Sequence, residues 1–129
     1  GLWGSLEAYT SREHPSYQAR VLDEHMPEAL DVLADLVLAP RLEADDLELE
    51  RQVILEEIAQ VEDTPDDMVF ELHADRLWRG HPYGRPILGT KGTVSAMTSD
   101  SLRELHGERY VGQNLVVAAA GNVEHEAFV

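Results

Sequence analysis

The spacing of the apolar residues changes along the chain, from the period of a strand to the period of a helix. Residues 5–10 alternate as a β-strand does, and residues 17–22 form a second short run of the same kind. From residue 29 to residue 38, apolar side chains recur at helical spacing. This run begins just after Pro27, a residue favoured in a first helical turn, and ends before Pro40. The pattern predicts two strands followed by a helix.

The rest of the chain continues with helices and returns to one strand. We expect helices over about residues 45–61, from the cap at 63–67 to about 78, and from Thr98 or Ser99 to about 110, a structured loop over 80–92, and a buried strand over 114–120. Together these elements predict an α+β fold in which antiparallel strands pack against several helices.

Length and charge restrict the classes of protein to which the chain can belong. Its 129 residues allow one domain or part of one, and 25 acidic residues against 10 basic ones give a formal net charge of −15. This balance argues against a nucleic-acid partner or an anionic membrane surface. The absence of cysteine excludes disulfides and thiol chemistry, and no apolar run approaches the ~20 residues of a membrane span.

Both ends of the chain fall inside predicted elements. The first strand starts almost at residue 1, and residues 123–129 begin like a helix that is too short to be stable alone. From these features alone, residues 1–129 form either a domain with a frayed terminus or a single partial domain whose C-terminal end is truncated at a helix start, and the family resemblance described below favours the partial domain. The first residues show no signal peptide. We expect a soluble protein, and the compartment stays open between cytoplasm and periplasm.

The predicted helix at 47–61 carries two glutamates beside its apolar residues. With about 100° of rotation per residue, one stripe of this helix holds Leu47, Ile54, Ile58 and Val61. Glu50 and Glu57, two turns apart, fall on the same stripe, whereas Glu56 points to the opposite side. A carboxylate among apolar side chains is costly unless a cation or hydrogen-bond donors meet it.

Two kinds of explanation for these glutamates stay open from the helix alone, a structural one and a functional one. Either Arg12 or Arg20 pairs with one carboxylate, or the edge of the stripe remains hydrated. Alternatively, Glu57 coordinates a metal ion and Glu50 supports the site, since zinc accepts a carboxylate oxygen beside imidazole nitrogens.

The six histidines do not supply a recognisable metal motif. No two of them are spaced i,i+4, and the sequence contains neither H-E-x-x-H nor H-x-x-E-H. Residues 22–26 (LDEHM) look like the end of the second motif, but Val21 stands where its first histidine belongs. We therefore do not expect His25 to be a ligand.

Five stretches, in the same order along the chain, resemble the pitrilysin/insulinase family of zinc metallopeptidases, which includes mitochondrial processing peptidase and many bacterial zinc proteases. They are GSLEAYTSREH (4–14), LDEHMPEALDVLADLVL (22–38), LELERQVILEEI (47–58), GHPYGRPILGT (80–90) and NLVVAAAGN (114–122). The resemblance implies a fragment of a metallopeptidase α/β roll.

The resemblance also implies roles for individual residues. Glu57 matches the distal zinc ligand of the family, and Glu50 matches the accompanying acidic residue of the catalytic site. The strand containing Glu7, Ala8 and Tyr9 matches the edge strand to which a substrate peptide adds. The family cofactor is zinc, which we expect in the full-length protein and not bound tightly by this chain alone.

The chain departs from the family pattern in three ways. The H-x-x-E-H helix, which carries two histidine ligands and the general base, precedes the first strand in the family and is missing here, so we expect this chain alone to be inactive. Trp3 replaces the first glycine of the Gly-Gly pair. Glu7 stands where the family has asparagine, a change that leaves backbone pairing with a peptide possible but removes the amide contact.

The resemblance therefore predicts a segment of a zinc-dependent endopeptidase. The expected partners are peptide substrates and a homologous second half or partner subunit, and we expect an oligomer. The alternative is a non-catalytic paralogous subunit that acts as a scaffold for an active half. A calcium site at residues 62–67 is disfavoured, because this loop lacks the central glycine and the terminal glutamate of an EF-hand.

Overall fold

The computed structural model describes residues 4–129, in which an antiparallel hairpin precedes a series of helices. In chain order the elements are β1 (Gly4–Thr10), β2 (Pro15–Val21), α1 (Met26–Leu38), α2 (Ala44–Asp63), α3 (Pro65–Leu77), α4 (Lys91–Ala96), α5 (Ser99–Arg109) and α6 (His125–Phe128). This order confirms the expected α+β fold. The substitution at Trp3 lies outside the described residues.

The hairpin forms the sheet of the described structure. β1 and β2 pair antiparallel, with Gly4 opposite Val21 and Thr10 opposite Pro15. Gly4 allows this close approach, because a Cβ atom placed on it would lie 2.4 Å from the carbonyl oxygen of Arg20. Both predicted strands are confirmed.

Local signals explain where the helices begin. Pro27 and Pro65 occupy the first turns of α1 and α3, where a missing N–H costs nothing. Thr98 and Ser101 exchange hydrogen bonds between side chain and backbone and so cap α5. The short helix α4 was not expected from the apolar pattern, because it contains one buried residue, Val94. A reciprocal cap by Thr90 and Thr93 starts it.

The C-terminal segment differs from the expectation. Residues 115–120 are not assigned to a strand, and Val116 and Val117 are 93% and 65% exposed. A strand needs a neighbour to pair with, and within residues 4–129 β1 and β2 pair with each other alone. The helical turn expected at the end of the chain is present as α6.

The chain divides into two compact units, each with a small core. Of the described residues, the first unit comprises 4–10, 14–41 and 105–129, and the second comprises 11–13 and 42–104. Ala29 of α1 is buried in the first unit, and Ile58 of α2 and Val94 of α4 are buried in the second. The single partial domain expected from the sequence stays a prediction.

Side-chain contacts also connect residues 105–129 of the first unit with its residues 14–41. His106 forms a hydrogen bond of 2.8 Å with the carbonyl oxygen of Val37, and its ring stacks on that of Tyr110 at 4.6 Å. Burial and a hydrogen bond with Tyr17 raise the pKa of Tyr110 to about 12. Asn122 donates a hydrogen bond to the carboxylate of Asp23, which ties the C-terminal turn to the residues before α1.

Candidate functional site

The buried face of α2 is centred on Ile58, which is 7% exposed. With about 100° of rotation per residue, Arg51 lies about 20° from Ile58 around the helix axis, whereas Glu50 and Glu57 lie about 80° and 100° away. Glu56 lies about 160° away and points to the opposite side. The two glutamates therefore lie beside one edge of the apolar stripe, and the expectation that they fall on the stripe itself is corrected.

Arg51 is the charged side chain that enters this face. It is 14% exposed, its Nη2 donates to the carbonyl oxygen of Met97 at 2.8 Å, and its Nη1 donates to the carbonyl oxygen of Val94. Its Nε bonds the carboxylate of Glu48 at 2.9 Å, and this bond holds the pKa of Glu48 below its usual range. The positive charge of Arg51 is thus met by two carbonyl oxygens at the C-terminal end of α4 and by the carboxylate of Glu48, one turn earlier on α2.

Glu50 and Glu57 are exposed, and neither carboxylate has an ion pair or side-chain hydrogen bond with another described residue. Arg12, one of the arginines considered as their partner, lies 3.8 Å from Glu71 instead. The cost of burial therefore does not apply to these two glutamates in this structure. They share one side of α2 because seven residues make nearly two complete helical turns.

The donor groups of the described residues do not fit a complete zinc site. Zinc in a catalytic site takes three protein ligands. Within residues 4–129, no three His, Asp or Glu side chains form a group that could hold a metal ion. Glu57 offers a single unpaired carboxylate, which could fill one of the three ligand positions of such a site. The other two positions have no ligand in this arrangement of the described residues.

The predicted substrate-binding residues lie side by side in β1. Glu7, Ala8 and Tyr9 are exposed and pair across the hairpin with Gln18, Tyr17 and Ser16. On its other side β1 has no paired strand among the described residues. Such an edge presents free backbone N–H and C=O groups, which are the groups to which an extended peptide adds.

Glu7 also lines a groove in the first unit. The groove has a volume of about 650 Å³ and lies between the hairpin, α1 and residues 117–123. Ala29, Leu30 and Leu33 of α1 are among the apolar residues that line it. A carboxylate in the position where the family has asparagine therefore lines this groove.

A second group of polar residues was not predicted from the sequence. We call it the turn–loop cluster: Arg12, Glu13, Glu71, Tyr83 and Arg85, all in the second unit. Arg12 donates to two carbonyl oxygens of the loop, and the hydroxyl of Tyr83 donates to the carboxylate of Glu13. This bond raises the pKa of Tyr83. The Gly- and Pro-rich composition of residues 80–92 indicated an ordered loop, but no spacing linked that loop to residues 70 positions earlier.

The predicted site residues belong to different compact units. Glu7, Ala8 and Tyr9 lie in the first unit, and Glu50 and Glu57 lie in the second. None of the helices described for residues 4–129 is both long and apolar enough to cross a membrane.

The chain matches known proteins along almost its whole length. It is 47% identical over 126 residues to an uncharacterized zinc protease of Mycobacterium leprae, an alignment that covers 98% of this chain and 28% of that protein. It is 44% identical over 126 residues to an uncharacterized zinc protease of Streptomyces coelicolor, with the same coverage of each. The chain therefore spans less than a third of the length of these curated relatives.

A solved structure shares the fold. The crystal structure of a protein described as an M16-like peptidase from Alicyclobacillus acidocaldarius superposes with a TM-score of 0.73 at 26% sequence identity. The likeness covers 81% of this chain and 25% of that one. It confirms the expected fold class, a fragment of a metallopeptidase fold.

The family itself follows from the match to its sequence model. The model of Insulinase (Peptidase family M16) matches residues 2–91, a range that includes β1, β2, α1, α2 and α3. Both relatives described above carry the name zinc protease. The resemblance noted in the sequence is thus confirmed, and the chain belongs to the insulinase family of peptidases, peptidase family M16.

Proposed function

We propose that this chain is a segment of a zinc-dependent endopeptidase that hydrolyses peptides. In this proposal Glu57 is the distal zinc ligand and Glu50 is the accompanying acidic residue of the catalytic site. The observation that carries it is the state of Glu57. Its carboxylate is exposed, has no ion pair among the described residues, and lies on a helix within the matched family region.

The placement of Arg51 supports the same assignment. Because Arg51 is bonded to the carbonyl oxygens of Val94 and Met97, it does not neutralise Glu57. A carboxylate with no local cation keeps its charge available for a metal ion held by ligands from outside the described residues. Glu56, on the opposite side of α2, has no part in the site.

The substrate in this proposal is an extended peptide that adds to β1 beside Glu7, Ala8 and Tyr9. Strand addition uses backbone hydrogen bonds, so a free edge is sufficient for affinity and side-chain pockets supply specificity. The unpaired edge of β1 and the exposure of its residues support this role.

The remaining parts of the site come, in this proposal, from residues outside this chain. One glutamate does not hold zinc tightly, and no general base accompanies it here. The chain alone is therefore inactive. Its partners are a homologous second half or a partner subunit, in an oligomer.

A second candidate is a non-catalytic paralogous subunit that acts as a scaffold for an active peptidase. Glu7 favours it, because a carboxylate replaces the amide with which the family contacts its substrate. The unpaired Glu50 and Glu57 favour the peptidase, since a scaffold has no use for two unpaired carboxylates on one side of a helix.

Metal analysis and a cleavage assay on the full-length protein distinguish the two candidates. A peptidase contains one zinc per site and cleaves β-casein, a chelator stops the cleavage, and added zinc restores it. A scaffold contains no stoichiometric zinc and does not cleave β-casein alone. That second result would refute the proposed function.

A further inference from the structure

Glu7 projects from the face of β1 that lines the groove of the first unit. Side chains alternate between the two faces of a strand, so Ser5, Glu7 and Tyr9 share one face of β1. Of the residues of β1, Ser5 and Glu7 line the groove, whereas Leu6 and Ala8, which belong to the other face, do not. On β1 the groove therefore follows the face that carries Glu7.

The carboxylate of Glu7 is exposed and has no cationic partner among the described residues. Directly across the hairpin from it stands Gln18, a neutral amide. Arg20 lies diagonally across, opposite Ser5, and it also lines the groove, but within the described part of the chain no ion pair joins it to Glu7. Glu7 thus keeps an unpaired negative charge on this face of β1.

The other side chains of the groove suit a long cationic side chain. Apolar residues of α1 line it together with two carboxylates, those of Glu7 and Asp23, and one guanidinium, that of Arg20. Asp23 already accepts a hydrogen bond from Asn122, so of the described carboxylates in the groove Glu7 is the one free to receive a partner. Lysine and arginine lay an apolar stem along apolar surface while their charged head group reaches a carboxylate.

A peptide that adds to the free edge of β1 brings its own side chains onto this face. In an antiparallel ladder, residues directly opposite each other project to the same side, with Cβ atoms about 4.5–5.5 Å apart. The peptide residue opposite Glu7 therefore presents its side chain beside the carboxylate. Opposite charges are favourable in such a pair and like charges are unfavourable, so this one position discriminates among peptides by charge.

We propose that Glu7 is a specificity-determining residue that selects a lysine or arginine at the peptide position opposite it. This inference rests on the proposed function, in which β1 is the strand to which substrate adds. It names the class of substrate, an extended peptide with a basic residue at one fixed position of the bound segment. The carboxylate that stands where the family has asparagine exchanges a neutral contact for a charge-assisted one.

The test uses the full-length protein and a set of peptides that differ at one residue. The parent peptide is a fluorophore-labelled segment of β-casein, and each of its residues is replaced in turn by lysine, glutamine or glutamate. The variants are Glu7→Gln and Glu7→Lys, with Glu108→Gln as the control. Glu108 is an exposed glutamate of α5 in the same unit, outside the groove, and its substitution changes the net charge by the same amount as Glu7→Gln.

For the wild-type protein we expect one position at which kcat/KM falls from lysine to glutamine to glutamate, by about two- to fivefold at each step. Glu7→Gln, which keeps the shape of the side chain, abolishes this order, and Glu7→Lys reverses it. Glu108→Gln keeps the order, because the preference comes from the local pair and not from the overall charge. An unchanged order in Glu7→Gln, or equal rates for the three peptides at every position in the wild type, would overturn the inference.

Binding separates this inference from the proposed function. If the wild-type protein holds no zinc and cleaves no peptide, the proposed function fails. Fluorescence anisotropy of the same peptides, titrated with chelator-treated protein, then gives their dissociation constants. At the selected position the lysine peptide should bind the wild type about two- to fivefold more tightly than the glutamine peptide, and Glu7→Gln should remove this difference. Equal or undetectable binding of the two peptides would overturn the inference whether or not the protein cleaves.

Discussion

Arg51 of α2 donates a hydrogen bond from Nη2 to the carbonyl oxygen of Met97, at 2.8 Å, and Met97 is the C-cap residue that directly follows α4. The carbonyl groups of a last helical turn have no partner within the helix and carry partial negative charge. The half-buried guanidinium of Arg51 donates a hydrogen bond to such a carbonyl oxygen and brings a positive charge next to it. It fixes a six-residue helix that is too short to be stable alone.

Replacing Arg51 is therefore expected to destabilise the chain. Arg51→Met removes the charged hydrogen bonds to the carbonyl oxygens of Val94 and Met97, at a cost of about 2 kcal/mol in the free energy of unfolding. Urea denaturation followed by circular dichroism measures this change. Arg79→Met is the control, because Arg79 is exposed. Equal stabilities of the two variants would show that Arg51 has no structural role.

Two glycines are expected to respond oppositely to alanine. Gly84→Ala places a Cβ atom 2.6 Å from the carbonyl oxygen of Trp78, so the loop must shift, and we expect a loss of about 1–3 kcal/mol. Gly107 lies in α5 with no atom within 4 Å of such a Cβ. Gly107→Ala should therefore stabilise by about 0.5–1 kcal/mol. Thermal denaturation of both variants checks the sign, and a stabilising Gly84→Ala would contradict the packing of the loop.

The bond between Asn122 and Asp23 predicts a dependence of stability on pH. The side chain of Asn122, followed by the backbone N–H of Glu24, lowers the pKa of Asp23 in the folded state. The stabilisation is thus fully present above the ordinary carboxyl pKa, about 4, and is lost as the pH falls through the lowered pKa. Asn122→Ala should lower the melting temperature at neutral pH and make little difference at about pH 2. Asn114, which donates to the neutral carbonyl of Arg109, provides a control whose effect is independent of pH.

The chain alone is expected to bind zinc only weakly. One carboxylate is an incomplete ligand set, so we predict a dissociation constant no tighter than micromolar and no cleavage of β-casein. Exposed strand edges and apolar side chains should also make the isolated chain associate. Metal analysis after dialysis and light scattering measure these properties. Stoichiometric zinc that survives dialysis, or a monodisperse monomer that melts cooperatively, would contradict the view that the chain is a fragment.

The sequence predicts those elements that local signals determine. β1, β2, α1, α2, α3 and α5 follow from apolar spacing and from prolines or threonines at their ends. By contrast, residues 115–120 carry the composition of a strand but do not form one, because pairing depends on a neighbour that local sequence does not specify.

The candidate site was predicted only in part, for a related reason. Seven-residue spacing places Glu50 and Glu57 on one side of α2, and this follows from helix geometry alone. Arg51, which lies closer to the centre of the buried face, was not identified, although its angle from Ile58 was available from the sequence. The bonds of Arg12 with Tyr83 and Arg85 join residues more than 70 positions apart, and no periodicity predicts such contacts.

The central claim is that Glu57, and not its neighbour Glu56, serves the metal site. The direct measurement compares Glu57→Gln with Glu56→Gln in the full-length protein, by zinc content after dialysis and by cleavage of β-casein. Both substitutions remove one negative charge from adjacent exposed positions of α2, so stability and net charge are matched. We predict that Glu57→Gln loses its zinc and its activity, whereas Glu56→Gln retains both. Equal zinc contents and equal activities in the two variants would contradict the account.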